Sequence, residues 1–212
     1  KLAAIVKVGL PTAIQMVVVN TAYLLVAGML NQFGTAVSAA SNVGLQINTF
    51  AGMPCWAIGQ AVTAMVGQCI GAGQIDRARK VVKISLVMNV AVTLVVVIGV
   101  QLFAEPLILL FGSTNPEVVN DGVYYLRVCC NINSLIYAVM YTLDSFAIGS
   151  GAANIAMINA LLDAVIVRLP MSWFLAFSLN MGFIGIYYGQ ALSPILPAIV
   201  GLLYFVNRKW ER

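Results

Sequence analysis

Three ionisable side chains stand inside otherwise apolar stretches: Asp144, Asp163 and Arg168. A charge at the centre of a membrane helix costs about 2.5–3.5 kcal/mol on insertion scales. Such residues therefore face a bundle interior or a water-filled cavity. Asp163 and Arg168 are five residues apart in the chain. On an α-helix that spacing is about 140° of rotation, which makes them poor partners. Folding the chain back at Gly151 sets Asp144 level with Ile158 and beside Asn159. It also sets Asp163 level with Tyr137, Met140 and Tyr141, and Arg168 at the depth of Asn131, Asn133 and Ser134. Two readings stay open. Asp144, Asn159, Asp163 and Arg168 form a network that locks two helices together, or they line a path for a substrate or a proton. An intramembrane aspartyl protease dyad is disfavoured. Its carboxylates must share a proton, whereas Asp144 and Asp163 differ by about 7 Å in depth. Neither follows a Gly-x-Gly motif.

Uncharged polar groups raise the same pair of readings. Gln15, Asn20 and Thr21 interrupt the first apolar stretch. Amides in lipid act as hydrogen-bonding glue between helices, or they contact a solute. Tyr137, Met140, Tyr141 and Phe146 can form an adaptable apolar pocket or plain core. The four cysteines, Cys55, Cys69, Cys129 and Cys130, show no metal spacing and read as small core residues. The chain has no His, so the commonest metal ligand and general base is missing.

The elements that must position these residues follow from composition. Of 212 residues, 61% are hydrophobic and only 8% are charged. A soluble domain carries about 25% charge, so a soluble enzyme or a nucleic-acid-binding domain is excluded. Residues 8–75, 84–104, 145–162 and 169–207 hold no charged side chain. A transmembrane helix needs roughly 20 apolar residues. With Gly and Pro as punctuation, the chain reads as one all-α, six-helix polytopic bundle, with helices at 8–32, 42–70, 80–111, 118–148, 154–179 and 183–206. Nine of the 11 cations (Lys1, Lys7, Arg77, Arg79, Lys80, Lys83, Arg208, Lys209 and Arg212) fall on one side of that bundle. The positive-inside rule then puts both termini in the cytoplasm. The first apolar segment is too long for the h-region of a signal peptide, and the opening Lys1 points to a segment of something longer. In the second helix Gly59, Thr63, Gly67 and Gly71 recur every four positions. Such a ladder is a packing seam or a sliding surface. Pro54 in the same helix removes a backbone hydrogen bond and predicts a kink, a candidate hinge.

A set of ordered motifs adds a family likeness. The chain reads Gly9-Leu10-Pro11, Asn31-Gln32-Phe33-Gly34, Met53-Pro54 and Gly59-Gln60-Ala61. It continues with Val66-Gly67-Gln68, Gly71-Ala72-Gly73, Arg77-Ala78-Arg79-Lys80 and Val167-Arg168-Leu169-Pro170. This series resembles the multidrug and toxic compound extrusion (MATE) transporters, in particular the carboxy-terminal six-helix lobe of a bacterial member. The resemblance implies a twelve-helix transporter of two rocking lobes, not an enzyme. Its cargo is an amphipathic small molecule exported from a bacterial cytoplasmic membrane in exchange for sodium or protons. The partner is an amino-terminal six-helix lobe, and there is no nucleic-acid partner. Helices one and two line the cavity, which makes Gln15, Asn20 and Gln60 substrate-cavity candidates, and Tyr137, Met140 and Tyr141 of the fourth helix join them as a candidate apolar pocket. The chain departs from the family at Val18-Val19-Asn20-Thr21, where some members carry a glutamate, and at Ala147-Ile148-Gly149, where Leu-Arg-Gly is common. No cofactor or metal site is expected, and the coupling-ion site is expected largely in the other lobe. The alternatives are a lipid-linked oligosaccharide flippase of the same superfamily and a homo-oligomeric scaffold or channel.

Overall fold

The computed structural model describes residues 2–111 and 115–207. Lys1, Arg208, Lys209 and Arg212, which carry part of the orientation argument, lie outside the described residues. The described chain is helical throughout, without strands. The helices are α1 (Leu2–Leu30), α2 (Thr35–Gly71), α3 (Ile75–Leu102), α4 (Ala104–Leu110), α5 (Pro116–Cys129), α6 (Ile132–Gly149), α7 (Ala153–Leu161), α8 (Leu169–Trp173), α9 (Phe183–Leu192) and α10 (Ile195–Val206). A short 3₁₀ turn, Asn31–Phe33, follows α1, and π-helical turns at Leu162–Arg168 and Phe174–Ser178 flank α8.

Segments Val8–Phe33, Ile75–Leu102, Ala153–Ser178 and Phe183–Val206 are long and apolar enough to cross a membrane. The α5–α6 pair, bent by 51°, is a fifth if it forms one span. The 37-residue α2 is also long enough. It carries more polar side chains than these spans, among them Asn42, Gln46, Asn48, Thr49 and Gln60. The outside of the bundle is apolar: Leu24, Val87 and Leu102 are each more than 70% exposed. Burial of apolar surface cannot discriminate between neighbours in lipid, so close packing must hold the helices together.

Several elements differ in extent from the sequence reading, each for a local reason. The second helix begins at Thr35, directly after Gly34 at φ 107°, a backbone that favours glycine. It runs unbroken through Pro54. The third segment breaks at Phe103, and Pro106 lies in the first turn of the new helix α4, where a missing N–H costs nothing. The fourth begins on Pro116, with the Asn115 side chain accepting from the Glu117 N–H at 3.0 Å, a regular N-cap. Pro194 stands at the N-cap of the last helix and Pro197 in its first turn, where a missing N–H is tolerated.

The small-residue ladder of α2 is a packing seam over most of its length. A Cβ on Gly59 would collide with Tyr141 and Ser145, and one on Gly149 would lie 2.7 Å from the Thr63 carbonyl. Thr63 Oγ1 donates to the Ser145 carbonyl at 3.0 Å. Gly67 lies against the Gly149 carbonyl. Gly71 has open space around it and takes no part in the seam. Two apolar cores complete the bundle. One surrounds Tyr125, Ile186 and Tyr187; the other joins Val62, Val66, Val82 and Phe146 to Tyr204 and Phe205.

Candidate functional site

The expectation that Asp163 and Arg168 are poor partners fails. Arg168 Nη2 donates to Asp163 Oδ2 at 2.6 Å. The reason is the π-helical turn Leu162–Arg168. Its i→i+5 bonding stacks residues five apart, where an α-helix would turn them to different faces. Pro170 supplies a cause within the sequence. It has no N–H for the Ile166 carbonyl and its ring crowds that carbonyl, so the preceding turn widens. Both charged side chains are buried, at 3% and 4% exposure. Arg168 Nε also donates to Ser193 Oγ at 3.3 Å, and its guanidinium carbon lies 4.6 Å from the centre of the Tyr23 ring. Asp163 Oδ1 and Arg168 Nη1 have no hydrogen-bond partner.

Asp144 and Asn159 meet across the α6–α7 hairpin, at the depth that folding about Gly151 implies. Asn159 Nδ2 donates to Asp144 Oδ1 at 2.6 Å, and both residues are buried. The two carboxylates are thus held by different partners. A separate buried knot joins α3 to α6 and α2. Asn89 Nδ2 donates to Thr142 Oγ1 at 2.8 Å and lies 3.4 Å from Cys55 Sγ. Ser41 and Tyr187 are hydrogen-bonded at 2.8 Å.

Arg168 of the ion pair borders a cavity of about 310 Å³. Its walls are Asn20 and Tyr23 from α1, and Asn48, Thr49, Cys55 and Trp56 from α2. Cys129, Cys130, Asn133, Ser134 and Tyr137 come from the bend between α5 and α6, and Arg168 and Gln190 close one side. The 51° bend moves the start of α6 off the line of α5, and that break is where five lining residues fall. Of the polar residues of α2, Asn48 and Thr49 line this cavity, where a membrane helix can keep polar groups away from lipid. Trp56 Nε1 donates to Tyr137 Oη at 3.4 Å, and Tyr137 stacks on Tyr141 with ring centres 6.0 Å apart. Asn20 Nδ2 is bound to the Met16 carbonyl at 2.7 Å.

Of the residues singled out from the sequence, Asn20, Tyr137 and Arg168 reach this cavity. Gln15, Gln60, Met140 and Tyr141 do not line it: Gln60 is exposed, Met140 buried, and Gln15 and Tyr141 half-buried. Asp144, Asn159 and Asp163 lie off its lining, behind Arg168 or deeper in the hairpin. Sequence reasoning passed over Tyr23, Asn48, Thr49, Trp56 and Gln190. For α2 a signal existed: Asn48, Thr49, Gly52, Cys55 and Trp56 fall at helical spacing on one face. Three of the cysteines read as core, Cys55, Cys129 and Cys130, are buried and also border the cavity.

Comparison with known proteins gives the site a context. The MatE family profile matches residues 11–174. A probable multidrug resistance protein NorM of Thermotoga maritima is 26% identical over 208 residues, covering 98% of this chain and 44% of the relative. The probable multidrug resistance protein YpnP of Bacillus subtilis is 26% identical over 209 residues, covering 99% and 46%. Among solved structures, the Vibrio cholerae MATE transporter VcmN in the bent form superposes with a TM-score of 0.88 at 22% identity, covering 97% of this chain and 46% of that one. A MOP superfamily transporter from Pyrococcus furiosus superposes with a TM-score of 0.85 at 23% identity, covering 97% and 45%. The structural likeness shows the fold. The chain spans about half the length of the curated relatives it matches.

Proposed function

Because the chain belongs to the MatE family, as the match over residues 11–174 shows, we propose that it acts as one lobe of a two-lobe exporter. The lobe forms one wall of a substrate cavity and rocks against an amino-terminal six-helix partner lobe. The cargo is an amphipathic drug or toxic compound, in keeping with the multidrug resistance names of its relatives. Structural neighbours described as bent, straight and outward-facing support an alternating-access cycle. Sodium or proton exchange drives the cycle, and the termini face the cytoplasm of a bacterial cell. The observation that carries this reading is a cavity of about 310 Å³, lined by both apolar and polar side chains, inside a bundle whose exterior is apolar.

The flippase alternative is the weaker one. Holding a pyrophosphate calls for several cations, and among the described residues the cavity lining contains a single one, Arg168. Arg127 is exposed and lies off the lining. The test is dye efflux from export-deficient bacteria that express either this 212-residue chain or the full-length protein containing it. Efflux by the full-length protein alone supports the one-lobe reading. Efflux by the chain alone points instead to a homodimer, and efflux by neither refutes the drug-export reading.

A further inference from the structure

The charge on the cavity wall is lopsided. Arg168 is the one charged side chain among the described residues that line it, and no carboxylate joins it there. Its counter-charge, Asp163, is not part of the lining. The guanidinium is held on three sides: Nη2 by Asp163, Nε by Ser193, and its plane by the Tyr23 ring. The fourth, Nη1, is buried and has no hydrogen-bond partner. A guanidinium keeps its proton and offers donors only, and a buried donor left unmet is costly. Aromatic faces stand around it, since Tyr23, Trp56, Tyr125 and Tyr137 share the same cavity. The π-turn makes this arrangement possible. It aligns Asp163 with Nη2, so the guanidinium is fixed in place while one donor stays unsatisfied.

We propose that Arg168 is the recognition point for an acceptor oxygen on the transported solute. The solute class is an aromatic or apolar body bearing a carboxylate or an amide carbonyl, and permanent organic cations are disfavoured at this wall. The proposal rests on the export reading above. An organic cation entering here meets a guanidinium and no facing carboxylate. An acceptor oxygen gains a charge-assisted hydrogen bond, and the rings pack on its apolar body.

The test is equilibrium binding by calorimetry on the purified full-length protein in detergent, with three probes that share one ring system. These are 2-naphthoate, 2-naphthamide and 2-naphthyltrimethylammonium. The expected order places either acceptor probe at least about tenfold tighter than the ammonium probe. Arg168→Gln should weaken both acceptor probes by about tenfold or more and leave the ammonium probe unchanged. Loss of naphthoate binding alone would assign the site to anions, and loss of both acceptors to the shared oxygen. Should Arg168→Gln fail to fold, the double variant Asp163→Asn, Arg168→Gln retains a neutral hydrogen-bonding pair and gives the same readout. Tightest binding of the ammonium probe, no binding of any probe, or acceptor affinities unchanged in the variants would overturn the proposal. Dye efflux by the full-length protein separates the two claims. Efflux with any of those results overturns the Arg168 assignment alone, whereas Arg168-dependent binding without efflux overturns the export reading alone.

Discussion

Removing Asp163 as a charge is the sharpest probe of the hairpin. Asp163→Asn preserves shape but leaves the Arg168 guanidinium buried, at 4% exposure, with no counter-charge. Breaking a buried pair from one side costs about 3–5 kcal/mol, because the remaining charge is uncompensated. The 2.6 Å contact and the full burial of both partners place this pair at the upper part of that range. The reciprocal change should cost less. With Arg168→Gln the stranded group is a carboxylic acid, which can take up a proton, whereas a guanidinium cannot shed one. The double variant should recover part of the loss, with a coupling of about 1–3 kcal/mol. The assay is denaturant or thermal unfolding of the full-length protein in detergent, for wild type, both single variants and the double. Single-variant losses below about 1 kcal/mol, or losses that simply add in the double variant, would refute the pairing and the π-turn that creates it.

Gly149→Val should destabilise by about 1–3 kcal/mol, since its Cβ would lie 2.7 Å from the Thr63 carbonyl; Gly71→Ala, with open space around it, should be neutral or gain up to about 1 kcal/mol. Unfolding of the two variants side by side checks that the ladder packs against Gly149 of α6 and that Gly71 lies outside the seam. Asn89→Leu removes the amide donor to Thr142 Oγ1, whose own hydroxyl stays bound to the Ala138 carbonyl, and should cost about 0.5–1.5 kcal/mol, read from the same unfolding curves. Asn115→Ala removes the cap on the Glu117 N–H and should cost about 1 kcal/mol, with amide exchange accelerated in the first turn of α5.

Much of the bundle was legible because lipid imposes a simple rule. Charge-free runs longer than a membrane span can only be helices, and the polar hairpin register followed from folding at Gly151, which adopts φ 82°. The meeting of Asp144 with Asn159 came from that register. The Asp163–Arg168 pair did not, because it depends on a π-turn and a period of 3.6 was assumed. Pro170 was the only local hint. On α1, Asn20 reaches the cavity and Gln15 is not part of its lining, as expected for residues five apart on a regular helix. Gln60 lies one turn beyond Trp56 on α2 and Met140 about one turn beyond Tyr137 on α6, and neither is part of the cavity lining. Tyr23 and Trp56 escaped notice because an aromatic ring in an apolar stretch looks like core unless its neighbours are polar.

The central claim is that solute passes along this cavity, and filling it is the most direct measurement. Dye efflux by the full-length protein would be compared for Asn48→Trp and Ser134→Phe, which fill the cavity of about 310 Å³, and for Val87→Trp and Val95→Trp on the outer face of α3. The account predicts that the first two variants reach the membrane at wild-type levels and lose export, while the last two retain it. Unchanged export from folded, cavity-filled variants would contradict it.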